Sequence, residues 1–281
     1  MDIARGIRMH EITVRRMRFE FPDGIDPIIV EGQPEESFRT LGMSLLLPYL
    51  EPYLIRTMNE AKKQIRDPEL LADLEHFNAQ EGQHYRQHRR FNEAVRMADL
   101  PELGTLEAEL DADYRRFSEE RSLKFNLAYA EGFEALTTAA ARFSFESRQF
   151  ERMHPAAREL FSWHLIEELE HRTVAFDVYD HIYGDYFYRL RWGLFAQRHM
   201  LSWIHRVACH IEERADLGSR FGGTAGRRAR LRAQSWRALR GLVPKVLATY
   251  APWYTPERIA FTDEMRAYAK RFTADAVGVS R

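Results

Sequence analysis

The stretch Trp163–His171 reads WHLIEELEH and carries two histidines and a glutamate at helical spacing. Each residue of an α-helix advances by about 100°, so His164, Glu168 and His171 share one narrow stripe. Two imidazoles and a carboxylate on one stripe suit iron, zinc or manganese. The surrounding apolar residues predict a buried helix, and a buried carboxylate requires a cation or a proton. The stretch therefore predicts either a metal site or a hydrogen-bonded polar core.

Four long helices are predicted. Ser37 is the predicted cap of the first helix, and Pro48 and Pro52 interrupt that helix on either side of Glu51. A capping residue, a proline and an acidic residue at 67–69 start the second helix. The predicted helices and their candidate residues are 37–66 with Glu51, 67–97 with Glu81 and His84, 122–150 with Glu131 and Glu134, and 154–183 with His164, Glu168 and His171.

The candidate residues follow one another in a defined order: a lone Glu, the motif Glu-x-x-His, a lone Glu, and Glu-x-x-His again. This is the order of dimetal carboxylate four-helix bundles, in which these side chains project into the core. The sequence therefore predicts an all-α four-helix bundle that holds two iron ions, with zinc or manganese as alternatives. The predicted ligands are Glu51, Glu81, His84, Glu134, His164, Glu168 and His171.

The motif alone is weak evidence. With 28 Glu and 11 His, the chain is expected to contain Glu-x-x-His by chance, and it does so three times. The pair Glu151/His154 precedes Pro155 at a helix start and is interpreted as the chance occurrence. The other two gain weight from their separations, because Glu51 to Glu81 and Glu134 to Glu168 each correspond to one helix up and the next one down.

Several roles stay open at this level. His164 is either a metal ligand or a hydrogen-bond partner of one, and His88, one turn after the second-helix motif, is favoured as a partner or structural residue. Glu131 and Glu134 share a helix face, so their spacing does not choose between them. Glu167 borders the stripe and either acts as a base or bonds to a histidine.

Segments outside the bundle have their own patterns. Residues 1–36 are predicted to form a β element, with a strand containing Met17, Phe19 and Phe21, a turn at 22–24 and a partner strand at 28–30. Residues 184–216 form an aromatic-rich amphipathic helix that packs on the bundle or on a second subunit, so a homodimer is expected.

Residues 217–281 form a helical extension, which begins with a loop predicted at 217–226. Between 219 and 245 there are eight basic residues and no acidic one. The segment is either a solvated basic helix or a contact for an anionic membrane surface or an acidic ligand.

Composition excludes some classes of protein. The 41 basic and 42 acidic residues nearly cancel, so the chain is not a nucleic-acid binder by bulk electrostatics. Cys209 is the single cysteine, so no disulfide forms within one chain, and a cytoplasmic location is expected. Residues 1–18 lack the apolar core of a signal peptide, and no apolar run approaches the roughly 20 residues that span a bilayer.

Four pieces of the chain resemble a bacterial family of predicted metal-dependent hydrolases, which are ferritin-like. They are 47–51 (LPYLE), 77–92 (with FNAQEGQH, His88 and FN), 134–139 (EALTTA), and 163–179 (with VAFDVY). The resemblance runs from about residue 12 to 215, implies a ferritin-like bundle, and favours Glu134 over Glu131. The ligand helix with His164, Glu168 and His171 also resembles that of diiron arylamine N-oxygenases.

Three functions are compatible with this site. The first is a diiron oxidase or oxygenase that uses O₂ to oxidise an apolar small molecule. The second is a metal-dependent hydrolase with a dimetal-activated water and Glu131 or Glu167 as base. The third is a ferritin-like iron binder without enzymatic activity.

Overall fold

The all-α class predicted from the sequence is confirmed. The computed structural model describes residues 12–96, 103–215, 217 and 220–276 and the backbone of 279–280. Within these residues there are nine α-helices and two very short strands, β1 and β2. The helices are α1 Pro34–Ala61, α2 Pro68–Arg96, α3 Gly104–Glu120, α4 Leu123–Glu146, α5 Pro155–His171, α6 Val174–Ile182, α7 Tyr186–Arg214, α8 Gly223–Ala248 and α9 Asp263–Asp275, and the strands are β1 Val14–Arg15 and β2 Val279–Ser280.

Helix ends follow local chemistry. The Asp67 carboxylate accepts hydrogen bonds from the backbone N–H groups of Glu69 and Leu70, as expected of the predicted cap. The predicted cap of α1 is wrong, because the helix begins at Pro34 and Ser37 lies in its first turn. The Ser37 hydroxyl accepts from the backbone N–H of Val30 and so ties the incoming chain to α1. The same helix continues through both of its internal prolines.

The four site-bearing helices α1, α2, α4 and α5 enclose the main core. The helix predicted over 154–183 is two helices, since α5 ends at His171 and α6 begins at Val174. Helix α7 packs against α1 and α4, and α9 packs against α5. The arrangement places the central turns of the four site-bearing helices side by side in the interior.

The predicted N-terminal hairpin is wrong. Strand β1 pairs antiparallel with β2 at the other end of the chain, and Val30 forms an isolated bridge with Met153. The segment with Met17 and Phe19 is extended but unpaired, because side chains of α2 bind its carbonyl groups. Gln87 donates to the Met17 carbonyl, and Arg90 donates to the Phe19 carbonyl. The alternating apolar side chains are buried as the pattern indicates, but they pack on the helical bundle and not on a sheet.

The aromatic stripe of α7 packs within the chain. Met200, Trp203 and Ile204 are buried, in keeping with the contacts of α7 with α1 and α4. Helix α8 begins at Gly223, inside the segment predicted as a loop; residues 218 and 219 of that loop lie outside the described residues. None of the helices in the described part of the chain is both long and apolar enough to cross a bilayer.

Helices α4 and α7 approach closely at two glycines. A Cβ built on Gly132 would lie 2.3 Å from the Cα of Gly193 and 2.8 Å from its carbonyl oxygen. We therefore expect Gly132→Ala to push the two backbones apart and to lower the free energy of unfolding by about 1–3 kcal/mol, as overpacking does. Urea unfolding measures this change.

Gly104→Ala is the matched control, because a Cβ at Gly104 meets nothing within 4 Å. Equal stabilities for the two alanine variants would contradict the proposed close packing of α4 on α7.

Candidate metal centre

The predicted ligands come together in the middle of the bundle, and none is more than 3% exposed. Helix α1 supplies one glutamate, α2 a Glu-x-x-His pair, α4 one glutamate and α5 the remaining three side chains. Three overlapping groups of these residues place ligand atoms within 4.8 Å of one another. The groups are Glu51, His84 and His164; Glu81, His84 and Glu168; and Glu81, Glu134 and His171.

The two oxygens of Glu168 face different halves of the cluster. Its Oε1 lies 2.8 Å from His164 Nε2, and that nitrogen is 3.7 Å from Glu51 Oε1. Its Oε2 lies 3.6 Å from His171 Nε2, and that nitrogen is 3.4 Å from one oxygen each of Glu81 and Glu134. The geometry thus defines two adjacent groups of ligands with one carboxylate between them.

Many of these buried atoms have no hydrogen-bond partner within the described residues, although an unpaired polar group in a protein interior is costly. Nitrogen and carboxylate oxygen donors confined to one buried region fit divalent transition-metal ions. The unpartnered atoms in the cluster are both oxygens of Glu51, Glu81 and Glu134, Oε2 of Glu168, Nδ1 of His84 and Nε2 of His171.

The tautomer of His171 is fixed by Gln80. The Gln80 amide nitrogen donates to the Thr13 carbonyl and to Glu170, both of which are acceptors, so its Oε1 must accept. His171 Nδ1–H therefore donates to Gln80 Oε1 over 2.9 Å. Nε2 therefore faces the cluster, where a metal ion that replaced its proton would meet a lone pair.

Glu167 orients His84. Its Oε1 accepts from Trp163 Nε1 at 2.9 Å and from Arg15 Nη1 at 3.1 Å, and its Oε2 lies 3.1 Å from His84 Nε2. Burial, with the adjacent Glu170, raises the pKa of Glu167 to about 8. The carboxylate and the ring therefore share one proton on this side, which leaves His84 Nδ1 free to present a lone pair to the cluster.

A chain of hydrogen bonds orients His164. The Asn92 amide donates to the Ser44 carbonyl, and the Ser44 hydroxyl donates its single proton to Asn92 Oδ1 over 2.6 Å. The hydroxyl must then accept from His88 Nδ1, at 2.8 Å. Neutral His88 in turn accepts, through Nε2, the Nδ1 proton of His164 over 2.7 Å. His164 Nε2 faces the cluster, 2.8 Å from Glu168 Oε1, and would present a lone pair to a metal ion that replaced the proton between these two atoms, while His88 supports the ring from behind.

The carboxylates repel one another. Burial raises the pKa of both Glu51 and Glu81 well above the ordinary value, and neighbouring carboxylates raise it further. Burial and the charge of Glu168 raise the pKa of Glu134 to about 7. Burial also opposes the charge on Glu168, but contacts with two histidines outweigh it and lower its pKa to about 2. Without cations, the cluster holds protons that an ordinary glutamate would release at neutral pH.

The histidines divide into two kinds. Burial lowers the pKa of His84 and His88 well below the usual range, and neighbouring imidazoles contribute to the shift. Burial also disfavours the charged form of His171, but Glu168 and Glu134 outweigh that effect and raise its pKa well above the usual range. A metal ion would replace the proton that His171 holds between these carboxylates.

The candidate Glu131 and the third Glu-x-x-His pair lie outside the cluster. Glu131 accepts a 2.6 Å hydrogen bond from Arg189 on α7 and is not a member of any of the three ligand groups. Glu134, one turn further along α4, takes the position facing the other ligands. Of the third Glu-x-x-His pair, Glu151 pairs with Arg148 at the surface, and His154 caps α5.

Sequence reasoning assigned no role to several residues that orient the ligands. Gln80 and Asn92 lie in the pieces that carried the family resemblance, so that resemblance was their available signal. Arg15 and Ser44 carried no such signal, because each acts across a long stretch of sequence. Arg15 lies two residues before the alternation at 17–21 and reaches α5 only in the folded chain.

The fold and site define the class of protein: a helical bundle with buried glutamate and histidine clusters able to bind metal ions. The chain belongs to the family described as predicted metal-dependent hydrolase, which it matches over residues 13–260. The family resemblance seen in the sequence is therefore confirmed, and the match extends past residue 215 to include α8. Comparisons with curated proteins and with solved structures find no significant match.

Metal binding should release protons. Because the pKa of Glu134 is raised to about 7, an incoming cation must displace its proton below that pH. The apparent affinity for Zn²⁺ should therefore fall as the pH drops below about 7, by about tenfold per pH unit for each proton displaced. Calorimetric titration in two buffers of different ionisation enthalpy counts the protons released.

Glu134→Gln should reduce this release by about one proton, since the amide has none to lose. Glu119→Gln, which changes an exposed residue of α3, should leave it unchanged. Identical proton release by the wild type and both variants would show that Glu134 does not meet the metal.

Proposed function

We propose that the chain is a dimetal carboxylate enzyme that uses two iron ions and O₂ to oxidise an apolar small molecule. The observation that carries this proposal is a cavity of about 310 Å³ whose wall includes His164 and is otherwise mostly apolar. A concave apolar site with a few converging polar groups is the usual form of a small-molecule pocket. Such a cavity beside a buried cluster of candidate metal ligands suits O₂ and an apolar substrate.

The two groups of ligands divide the work of holding the ions. Glu51, His84 and His164 would hold one ion, and Glu81, Glu134 and His171 the other. Glu168 has an oxygen toward each group and would contact both ions. Four carboxylates offset the repulsion between two divalent cations, and three neutral imidazoles complete the set without further negative charge.

Iron bound there would supply the electrons for the reduction of O₂ and the oxidising power for the substrate. The chain contributes orientation and exclusion of water. Gln80, Glu167 and His88 fix the three ligand imidazoles in the tautomers that expose their lone pairs. The apolar walls keep bulk water from the reacting atoms, which strengthens electrostatic interactions at the site.

A hydrolase is the second candidate, and the description of the family favours it. Metal ions would lower the pKa of a water molecule and polarise a carbonyl or phosphoryl oxygen. Both predicted bases are already engaged, however. Glu131 is paired with Arg189, and Glu167 binds Arg15, Trp163 and His84. This is the reason for ranking hydrolysis behind oxidation.

Anaerobic loading with Fe²⁺ followed by exposure to O₂ tests the proposal. We expect two ions per chain and a new visible absorption after O₂ is added, because ferrous carboxylate sites react with O₂. A site that binds two ions, prefers Zn²⁺ to Fe²⁺ and does not respond to O₂ would instead support hydrolysis and a screen of esters. Iron that is oxidised and stored without turnover of any apolar substrate would support an iron binder.

Glu134→Gln should lower the metal count, and Glu131→Gln is its matched control on the same helix. The control keeps an acceptor for Arg189, so the α4–α7 contact survives. An equal loss of metal in both variants would contradict the ligand set proposed here.

We also propose that α8 contacts anionic membrane surfaces. Its outward face carries Trp236, Leu239, Val243 and Leu247, which are 59%, 54%, 37% and 62% exposed. Arginines of the basic segment flank this apolar stripe. An exposed apolar face with adjacent arginines is the pattern of helices that lie in the membrane interface.

Co-sedimentation with vesicles of anionic phospholipid tests this contact. The double variant Arg228→Ala and Arg232→Ala should weaken binding more than Arg115→Ala with Arg116→Ala, which removes the same charge from α3. Added salt should weaken wild-type binding, since the attraction is partly electrostatic. Absence of binding at low salt would contradict the proposal and leave α8 as a solvated basic helix.

A homodimer is proposed on separate grounds. Most of the α7 stripe that suggested it packs within the chain, although Phe195 is 36% exposed. Phe187, Leu194 and Leu201 are also exposed on that helix, at seven-residue spacing. Such a stripe can pair two helices. Sedimentation equilibrium that gives the mass of a single chain would contradict a dimer.

A further inference from the structure

The cavity is a channel that runs along α1 toward the metal cluster. Its wall on this helix includes Arg39, Met43 and Leu47, and Glu51 follows at the same helical spacing. These four residues form one stripe, with an arginine at one end and a cluster carboxylate at the other. At 1.5 Å per residue, the rise from Arg39 to Glu51 is about 18 Å.

The other walls of the cavity are mostly apolar. They are formed by α4, α5, α7 and α8, and His164 of the cluster is among the residues that line them. The principal apolar lining residues are Leu136, Ala140 and Phe143 on α4, Phe161 and Leu165 on α5, and Met200 and Ile204 on α7. An apolar space that extends along several turns of α1 favours an unbranched hydrocarbon chain over a compact polar molecule.

The outer end of the cavity is cationic. Arg39 is exposed and donates one hydrogen bond to Gln234, and among the described residues no carboxylate lies within ion-pair distance of it. The other charged residues at this end neutralise each other, because Arg237 donates to Glu36 over 2.8 Å. Arg39 is therefore the group here that is able to pair with an anionic ligand.

We propose that the cavity binds a single-chain amphiphile with an anionic head, such as a medium-chain carboxylate. Its head would pair with Arg39, and its chain would run past Met43 and Leu47 toward His164. With C–C bonds of about 1.5 Å, an extended chain advances roughly 1.3 Å per carbon, so a dozen carbons cover about 15 Å of the roughly 18 Å rise. This inference names the substrate class of the proposed oxidation and rests on that function for its chemistry, but not for binding.

The orientation bears on the reaction. An acyl carbon paired with Arg39 would lie about 18 Å along α1 from Glu51, whereas the far end of the hydrocarbon chain would approach His164. The bond presented to the cluster is then a C–H bond and not an acyl linkage. Of the two candidate reactions, oxidation fits this placement.

Calorimetric titration of the full metal-free chain with dodecanoate, dodecanol and hexanoate tests the proposal. Dodecanoate should bind about tenfold or more tightly than dodecanol, because only the carboxylate makes a charge-assisted hydrogen bond. Hexanoate should bind more weakly than dodecanoate, because it buries less apolar surface. Equal affinity for dodecanoate and hexanoate would overturn the assignment of the channel to the chain.

Variants separate the head from the chain. Arg39→Gln should weaken dodecanoate binding by about tenfold and leave dodecanol binding unchanged, since it removes only the charged partner. Arg56→Gln, at an exposed position of the same helix, is the matched control and should change neither. Leu47→Trp should fill the channel and weaken both ligands. Binding that is indifferent to Arg39→Gln and Leu47→Trp would overturn the proposal.

Two further measurements isolate the inference from the proposed function. Glu134→Gln should still bind dodecanoate even where it loses metal. Failure of the metal chemistry with dodecanoate binding retained would therefore count against the proposed function alone, and loss of dodecanoate binding would count against the proposed ligand of the cavity. The chain could also associate with anionic phospholipid vesicles and yet not bind free dodecanoate. That result would assign Arg39 to a membrane headgroup and would overturn the proposal that the cavity binds a hydrocarbon chain.

Discussion

Carboxylates buried together in the bundle core constrain the whole structure. Glu51, Glu81, Glu134 and Glu168 lie within one small region and are almost completely buried. Such charges repel one another strongly where the dielectric constant is low. Without cations the repulsion is relieved by protonation, which is why the pKa values of several of these carboxylates are raised. Two cations at this position would remove the conflict. The bundle can be understood as a scaffold that holds these groups close until cations bind.

The support for this centre comes from distant parts of the chain. Arg15 on β1 donates to Glu167 and Glu170 on α5 and also to the Thr273 hydroxyl on α9. The first and last described segments of the chain therefore meet behind His84, one of the predicted ligands. A network of this kind fixes the orientation of its side chains, because turning one of them would break hydrogen bonds to several others. The short β1–β2 pairing, which looks marginal as a sheet, serves to hold Arg15 in place.

Membership of the family establishes metal dependence and suggests a reaction, and the contacts around the site bear on which reaction it is. The two acidic residues that would serve a hydrolase as bases are occupied by arginines. The approach to the cluster is lined by hydrocarbon and ends at His164. In the proposed oxidation the apolar cavity would bring apolar carbon to the metal ions, whereas a hydrolase acting on polar esters or phosphoesters needs polar groups along that path. The channel and the metal centre thus support the same reaction class.

The sequence determined the helical class, the order of the ligand helices and the family, because these depend on local periodicity and on motifs within single helices. Helical spacing did not separate Glu131 from Glu134, since both lie on one face of α4; the family resemblance favoured Glu134, and the folded chain pairs Glu131 with Arg189 on α7. Sequence reasoning also paired the wrong strands and gave no role to Arg15, because both errors concern partners remote in sequence. Contacts between distant segments are set by packing, and packing exists only in the folded chain.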